Sequence, residues 1–405
     1  MIKKPELLAP AGNMEKLRIA VHYGADAVYL GGKNYGLRNL ADNFTTAEMA
    51  AGVTYAHDHG VKVYLTINIY PDNPDIAPLY RYLEELAPIP FDAYIAADPG
   101  VVAMIAEVSP DRPIHLSTQA NTTNWQSARF WQKQGIARIN LAREMPLDGI
   151  REVKERVDVQ LEAFVHGAMC ISYSGRCLLS SVMSDRPANR GECAHPCRWS
   201  YALVEETRPG EYFPIVEDTN GTFIFNSRDL CLLTHIPELV GSGIDALKIE
   251  GRMKGINYVA SVVRVYREAI DRYCDDPDGY RCREDWLAEL GKISHRGYTT
   301  GFFLGQPKDL DREFHSRYIR THDFVGIVEE VRADGSLLVG VRNRIQEGET
   351  LEIIGRGMTA NSFEVQNMVT PADEPLTAAN PNRQIILRVP FAAEQYDLIR
   401  REKCD

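Results

Sequence analysis

An α/β fold, a (β/α)8 TIM-like barrel with a cysteine-bearing insertion followed by a small C-terminal antiparallel β-barrel, is predicted by three observations. Eight short β-rich runs alternate with amphipathic stretches over residues 1–275, the pattern of βα units around a parallel sheet. The loop after the first run is APAGN, without the G-x-G-x-x-G that the competing doubly wound sheet would usually place there. From about Tyr318 the chain changes to short alternating strands separated by turns, the signature of a small β-barrel.

The strand runs are PELLAPA (5–11), DAVYLGG (26–32), KVYLTIN (62–68), DAYIAAD (92–98), IHLSTQA (114–120), ARINLAR (137–143), VQLEAFVHG (159–167) and DALKIEG (245–251). Between them, stretches such as NMEKLRIAVHYG (13–24) and PGVVAMIAEVSP (99–110) repeat apolar residues at three- and four-residue steps, as helices do. Asn13 is placed to cap the first helix and Gly24 to end it. The long insertion between the seventh and eighth strands, residues 168–243, is expected to fold over the catalytic mouth, since barrels build their sites at strand C-termini. Residues 276–317 are polar and turn-rich and read as a connector, and residues 318–405 form the C-terminal domain, in which RADGS is a hairpin turn.

A formal charge of −11 excludes a surface that attracts nucleic acid over its whole area. Charge is different near the cysteines, where Arg176, Arg186, Arg190 and Arg198 face only Asp185 and Glu192 between Cys170 and Ser200. That patch would draw an anionic substrate to one place. No run reaches the eighteen apolar residues of a membrane span, and no apolar signal segment follows the charged start. A cytoplasmic protein with reduced thiols is expected, with no membrane partner. The oligomeric state is not legible.

Half of the eight cysteines fall in one stretch, at Cys170, Cys177, Cys193 and Cys197, just past the seventh strand. Disulfides suit short secreted chains, and zinc prefers paired C-x2-4-C knuckles, which these gaps only approach once. Iron–sulfur centres accept thiolates scattered over loops, so they are the favoured chemistry, with unrelated thiols as the plain alternative.

The motif E-x-F-x-x-G-A-M-C-x6-C-x-x-S, followed by NRGECAHPCRW, resembles the signature of the peptidase U32 (collagenase-like) family. The likeness runs from PELLAPAGN through KIEGRMK to HRGYTTGFF. It is greatest for the branch that hydroxylates tRNA at the wobble uridine to 5-hydroxyuridine, independently of oxygen and with prephenate as co-substrate. Other branches hydroxylate ribosomal RNA or a quinone precursor, and the family name implies a peptidase. The resemblance implies a 4Fe-4S cluster held by Cys170, Cys177, Cys193 and Cys231, the last from SRDLCLL, whereas sequence proximity alone would have chosen Cys197 as the fourth ligand. It also implies tRNA as partner.

At the strand C-termini the candidates are Asn68, Asp98, Gln119, Asn121, Glu162, His166, Lys248, Glu250 and Arg252; each alone also suits a rim hydrogen bond. Lys248, Glu250 and Arg252 alternate and are expected on one side of the eighth strand. Glu162 and His166, four apart, are expected to share a face and to handle protons. Asn68, Gln119, Asn121, Arg176 and Arg198 are assigned to substrate, with Arg176, Lys248 and Arg252 as cationic partners for a dicarboxylate. His295, Arg296, Arg312, Arg317 and Arg320 are weaker anion candidates. For proteolysis neither G-x-S-x-G nor H-E-x-x-H occurs, which leaves Cys170 with His166 as the one nucleophile–base option.

Overall fold

The computed structural model describes residues 2–36, 42–169, 177, 179–184, 186, 188, 191–196, 202–203, 213–214, 228–305 and 319–403. Each predicted strand run contains a strand. They are β1 (Glu6–Pro10), β2 (Ala27–Leu30), β3 (Lys62–Ile67), β4 (Ala93–Ala96), β5 (Ile114–Leu116), β6 (Arg138–Asn140), β7 (Gln160–Ala168) and β8 (Ala246–Ile249). Neighbours pair in parallel, and β8 pairs with both β1 and β7, so the ring closes. Closure removes the exposed edges that an open sheet must protect.

The outward residues of the strands, such as Leu7, Val28, Val63 and Leu247, join the core under the surrounding helices. α1 (Met14–His22) begins at Asn13, whose side chain accepts from the Lys16 amide. Gly24 follows it with φ +100°, a conformation glycine adopts without strain. α2 (Thr46–Asp58) starts with a Thr45–Glu48 capping box, and Asp98 caps α4 (Pro99–Val108), after α3 (Asn73–Leu86). Asp98 thus has a structural role at its strand end. The ring is completed by α5 (Trp125–Lys133), α6 (Leu147–Arg156), α7 (Ile236–Gly241) and α8 (Ile256–Asp275). Along α8, residues Val259, Val262, Val263, Tyr266, Ala269 and Ile270 are fully buried. Their three- and four-residue spacing is what drives this helix onto the barrel.

Within 276–317 the chain forms α9 (Glu284–Lys292), which buries Trp286 completely and Glu289 nearly so. Glu289 receives Arg400 through two hydrogen bonds of 2.7 and 2.6 Å, and Arg264 lies 3.1 Å away. α9 is thereby locked between the barrel helix α8 and the C-terminal domain. That domain is a six-stranded antiparallel sheet, in the order Ala360–Glu364, Thr350–Ile354, Leu398–Glu402, His322–Val331, Leu337–Val341, Gln384–Leu387, and it curls as a half-barrel. Its core holds Val325, Val339, Leu351, Ile385 and Ile399. Tyr23 of the barrel donates to the Ile354 carbonyl and accepts from the Leu398 amide, and His22 meets Asp397 at 3.0 Å.

Candidate functional site at the barrel mouth

Parallel partners face the same way, so the register settles which residues look into the barrel. Leu8 pairs with Lys248, and Asn140 pairs with Glu162. The inward set is unusually polar for a barrel interior, which branched apolar residues normally fill. Lys248 Nζ donates to Glu162 Oε1 at 2.8 Å and lies 4.5 Å over the ring of Tyr29. The other Glu162 oxygen is 3.5 Å from Arg138, which donates to Glu6 at 2.6 Å. Cation and anion thus alternate down the inside of the barrel, and each charge has its counterion, without which burial would be prohibitive. His115 stands against Tyr64 in the same interior. Burial, with the Arg138 and Lys248 charges, holds it well below the usual imidazole range, so it is neutral.

β8 ends at Ile249, so Glu250 and Arg252 come from the turn beyond it rather than from an alternating strand. Arg252 crosses the mouth and donates to Thr66 Oγ1 at 2.8 Å and Asn43 Oδ1 at 2.7 Å. Two glycines make room for it: a Cβ on Gly31 would meet the guanidinium at 2.7 Å, and one on Gly12 would meet the Arg252 carbonyl at 2.2 Å. Glu250 accepts from Arg143 at 2.9 Å, and the Arg143 guanidinium lies 3.9 Å from the ring centre of Phe164. On the opposite rim Asn68 donates to Gln119 at 3.2 Å, while Ser117 and Tyr70 bond to the side chain and carbonyl of Gln119. Asn121 takes the left-handed conformation at φ 55° at the end of the turn after β5. The mouth therefore unites Asn68, Gln119, Asn121, Glu250 and Arg252, with Glu162 and Lys248 one layer below.

His166 does not join them. The β7–β8 register slips between Lys248 and Ile249, so Phe164 pairs with Lys248 and His166 with Ile249. One extra residue reverses the facing of everything after it. Glu162 looks inward, whereas the His166 ring lies outside, 5.9, 5.5 and 5.3 Å from the rings of Tyr258, Tyr266 and Tyr298. The expected shared face is corrected accordingly. His166 is buried, and neither ring nitrogen has a hydrogen-bond partner among the described residues. Burial pushes its pKa down to about 3, against a partial pull upward from Asp229.

A pH dependence follows. The unfolded imidazole titrates near 6.5, so the unfolded chain takes up a proton that the folded chain refuses. Stability from this group is complete above that value and is lost as pH falls toward 3. Urea unfolding at pH 6.5 and pH 5 is expected to show about 2 kcal/mol of loss from His166 alone. His166→Phe should reduce the pH slope by one proton; an unchanged slope would contradict the assignment.

The strand Asp229–Cys231 pairs antiparallel with the end of β7, setting Cys231 opposite His166. Tyr298–Thr299 adds itself to that strand, so the glycine-punctuated loop around 294–303 returns to the end of β7. There Arg296 pairs with Asp229 at 2.7 Å, and His295 stacks on Tyr298, so Arg296 is engaged by a carboxylate. Arg320 pairs with Asp323 at 2.8 Å at the entrance of the C-terminal domain. Cys170, Arg176, Cys197, Arg198, Arg312 and Arg317 lie outside the described residues.

Cys177, Cys193 and Cys231 are free thiols, the last buried. Among the described residues no three His, Cys, Asp or Glu side chains form a metal-binding group. The surroundings of two thiols nevertheless suit a thiolate-bound cluster. Cys193 Sγ accepts from the His195 amide at 3.4 Å, and Cys231 accepts from the Leu233 amide and the Tyr266 hydroxyl. In both, the amide two residues on points at sulfur, the contact that stabilises a thiolate ligand. Burial raises the Cys231 thiol, and those two bonds act against it.

Arg138, Asn140, Arg143 and Thr66 were not singled out from the sequence. The sign for Arg138 and Asn140 was there: two polar residues alternate on ARINLAR, a strand with no solvent face. Nothing local marked Arg143, whose role depends on the Glu250 turn.

Residues 12–313 match the family model for peptidase family U32, and residues 320–400 match that for its C-terminal domain. The tRNA hydroxylation protein P1 of Bacillus subtilis (strain 168) is 43% identical over 95% of this chain and 91% of its own length. The tRNA hydroxylation protein P of Escherichia coli (strain K12) is 36% identical over 93% and 91%. A solved U32 peptidase, Mk0906, aligns with a TM-score of 0.41 at 19% identity, covering 62% of this chain and 94% of that one. No helix among the described residues is long and apolar enough to cross a membrane.

Proposed function

The chain belongs to peptidase family U32, and from that premise we propose that it hydroxylates tRNA, converting wobble uridine to 5-hydroxyuridine without molecular oxygen and with prephenate as co-substrate. The observation that carries the reading is the 43% identity, over nearly the full length of both chains, to a protein named for tRNA hydroxylation. The site supports it chemically. Arg252 at the mouth, which donates to the neutral Thr66 and Asn43, is a cation of the kind that holds a carboxylate by charge-assisted bonds, whereas Arg143 and Lys248 are each engaged by a carboxylate of the chain. The fixed acceptors on Arg252, Thr66 and Asn43, keep its guanidinium in place before any ligand arrives, which lowers the ordering cost of binding.

Cys170, Cys177, Cys193 and Cys231 would hold a 4Fe-4S cluster, which when bound supplies one-electron redox or Lewis-acid chemistry. The chain's own part is to orient the anion with Arg252, to keep the interior charges paired through Glu162 and Lys248, and to shelter Cys231 beneath Tyr266. Peptide hydrolysis has no comparable support: the imidazole nearest Cys170 in sequence is His166, and its ring is packed among tyrosines outside the barrel. The test is anaerobic incubation of the purified protein with unmodified tRNA and prephenate, followed by nucleoside mass spectrometry. Formation of 5-hydroxyuridine only when prephenate is present is expected; product that requires air would contradict the oxygen-independent reading.

A further inference from the structure

We propose that Asn140 is a specificity-determining residue that reads the imide edge of the uracil base, a proposal that rests on the tRNA reading and assigns it a residue. Asn140 is the last residue of β6, faces into the barrel beside Glu162, and is 2% exposed. Its Oδ1 has no hydrogen-bond partner among the described residues. A buried acceptor left unmade costs about 1–3 kcal/mol, and an apolar side chain would fill this layer without that cost. The carboxamide is therefore better explained by a ligand than by the fold.

The polarity of the orphaned atoms says which ligand. Asn121 Oδ1, on the neighbouring strand end, is buried and unpartnered in the same way. The two strand ends are joined by the Ala142 amide donating to the Thr122 carbonyl at 3.1 Å. Two acceptors without donors call for a ligand that donates hydrogen bonds, which a carboxylate does not. The site is thus divided: Arg252 serves an anion, and the Asn121–Asn140 side serves a neutral edge that donates. Uracil offers N3–H flanked by carbonyl oxygens, complementary to one carboxamide. Cytosine has a bare N3 acceptor there and would require the amide to turn over. Glu162, which only accepts, stands beside Asn140 and disfavours the orientation that brings Oδ1 toward it.

The experiment compares binding of two full-length tRNAs, identical except for uridine or cytidine at the wobble position, to the anaerobic wild-type protein and to Asn140→Ala and Asn140→Asp. Melting temperatures and iron content verify that the variants fold and load alike. The wild type is expected to favour the uridine tRNA about 10-fold or more, the range of one two-point base contact. Asn140→Ala should bring the ratio close to one while retaining the phosphate-driven affinity, and Asn140→Asp should move it toward cytidine. A ratio unchanged in both variants overturns the assignment. If wild-type protein binds neither tRNA, the tRNA reading itself fails, and this assignment with it.

Discussion

Alanine at Cys231 is expected to leave the anaerobically isolated protein without the broad ~400 nm absorption of an iron–sulfur centre, and to lower tRNA hydroxylation by about a thousandfold, equivalent to about 4 kcal/mol of barrier. Cys231 is 8% exposed, under the Tyr266 hydroxyl and opposite His166. Its loss removes one thiolate and little packing, so the melting temperature should move by only a few degrees. Cys197→Ala is the control that separates the two ligand sets. It should retain colour and activity if, as proposed, the fourth ligand is Cys231 of the Asp229–Cys231 strand and not Cys197, the thiol closer in sequence. A brown, active Cys231→Ala protein beside a colourless Cys197→Ala protein would reverse that choice.

Glu289→Ala should be the most destabilising single substitution outside the site, by about 3–5 kcal/mol, the cost of stranding buried charge. Burial alone would raise this carboxyl. The hydrogen bonds from Arg400 and the Arg264 and Arg400 charges outweigh it and hold the pKa at about 2. Removing the carboxylate leaves Arg400, with 0% side-chain exposure, supported by Glu352 alone, and Arg264 without its ion pair. Calorimetry should show the transition falling by on the order of 10 °C. Replacing Glu289 and Arg400 together with leucine and methionine should cost much less than the two single changes added, since the cycle then removes both charges. Additive losses would mean that the cluster is not one unit.

The barrel was legible because eight short β-rich runs alternate with amphipathic helices, and local pattern there agrees with the global fold. α9 was not: CREDWLAELGK reads as polar because Glu289 and Lys292 meet their partners only across tertiary contacts, Arg264 on α8 and Arg400 and Glu352 in the C-terminal sheet. At the site, alternation gave Lys248 and Glu162 each a side of its strand, and the register turns both sides inward. The same rule misplaced His166, because a bulge is one residue of backbone that periodicity does not reveal. It also put Glu250 and Arg252 on a strand that had already ended, although both still reach the mouth. Asn140 carried a sign in its alternation with Arg138 on ARINLAR, but its place beside Glu162 comes only from the register.

The most direct test is nucleoside mass spectrometry of tRNA from a host that lacks its own wobble-uridine hydroxylases, with and without this chain, grown in the absence of air. The expected result is 5-hydroxyuridine and its derivatives at the wobble position only when the chain is present, and their disappearance when it carries Cys231→Ala. Wobble uridine left unmodified while the full-length, iron-loaded protein accumulates would contradict the account.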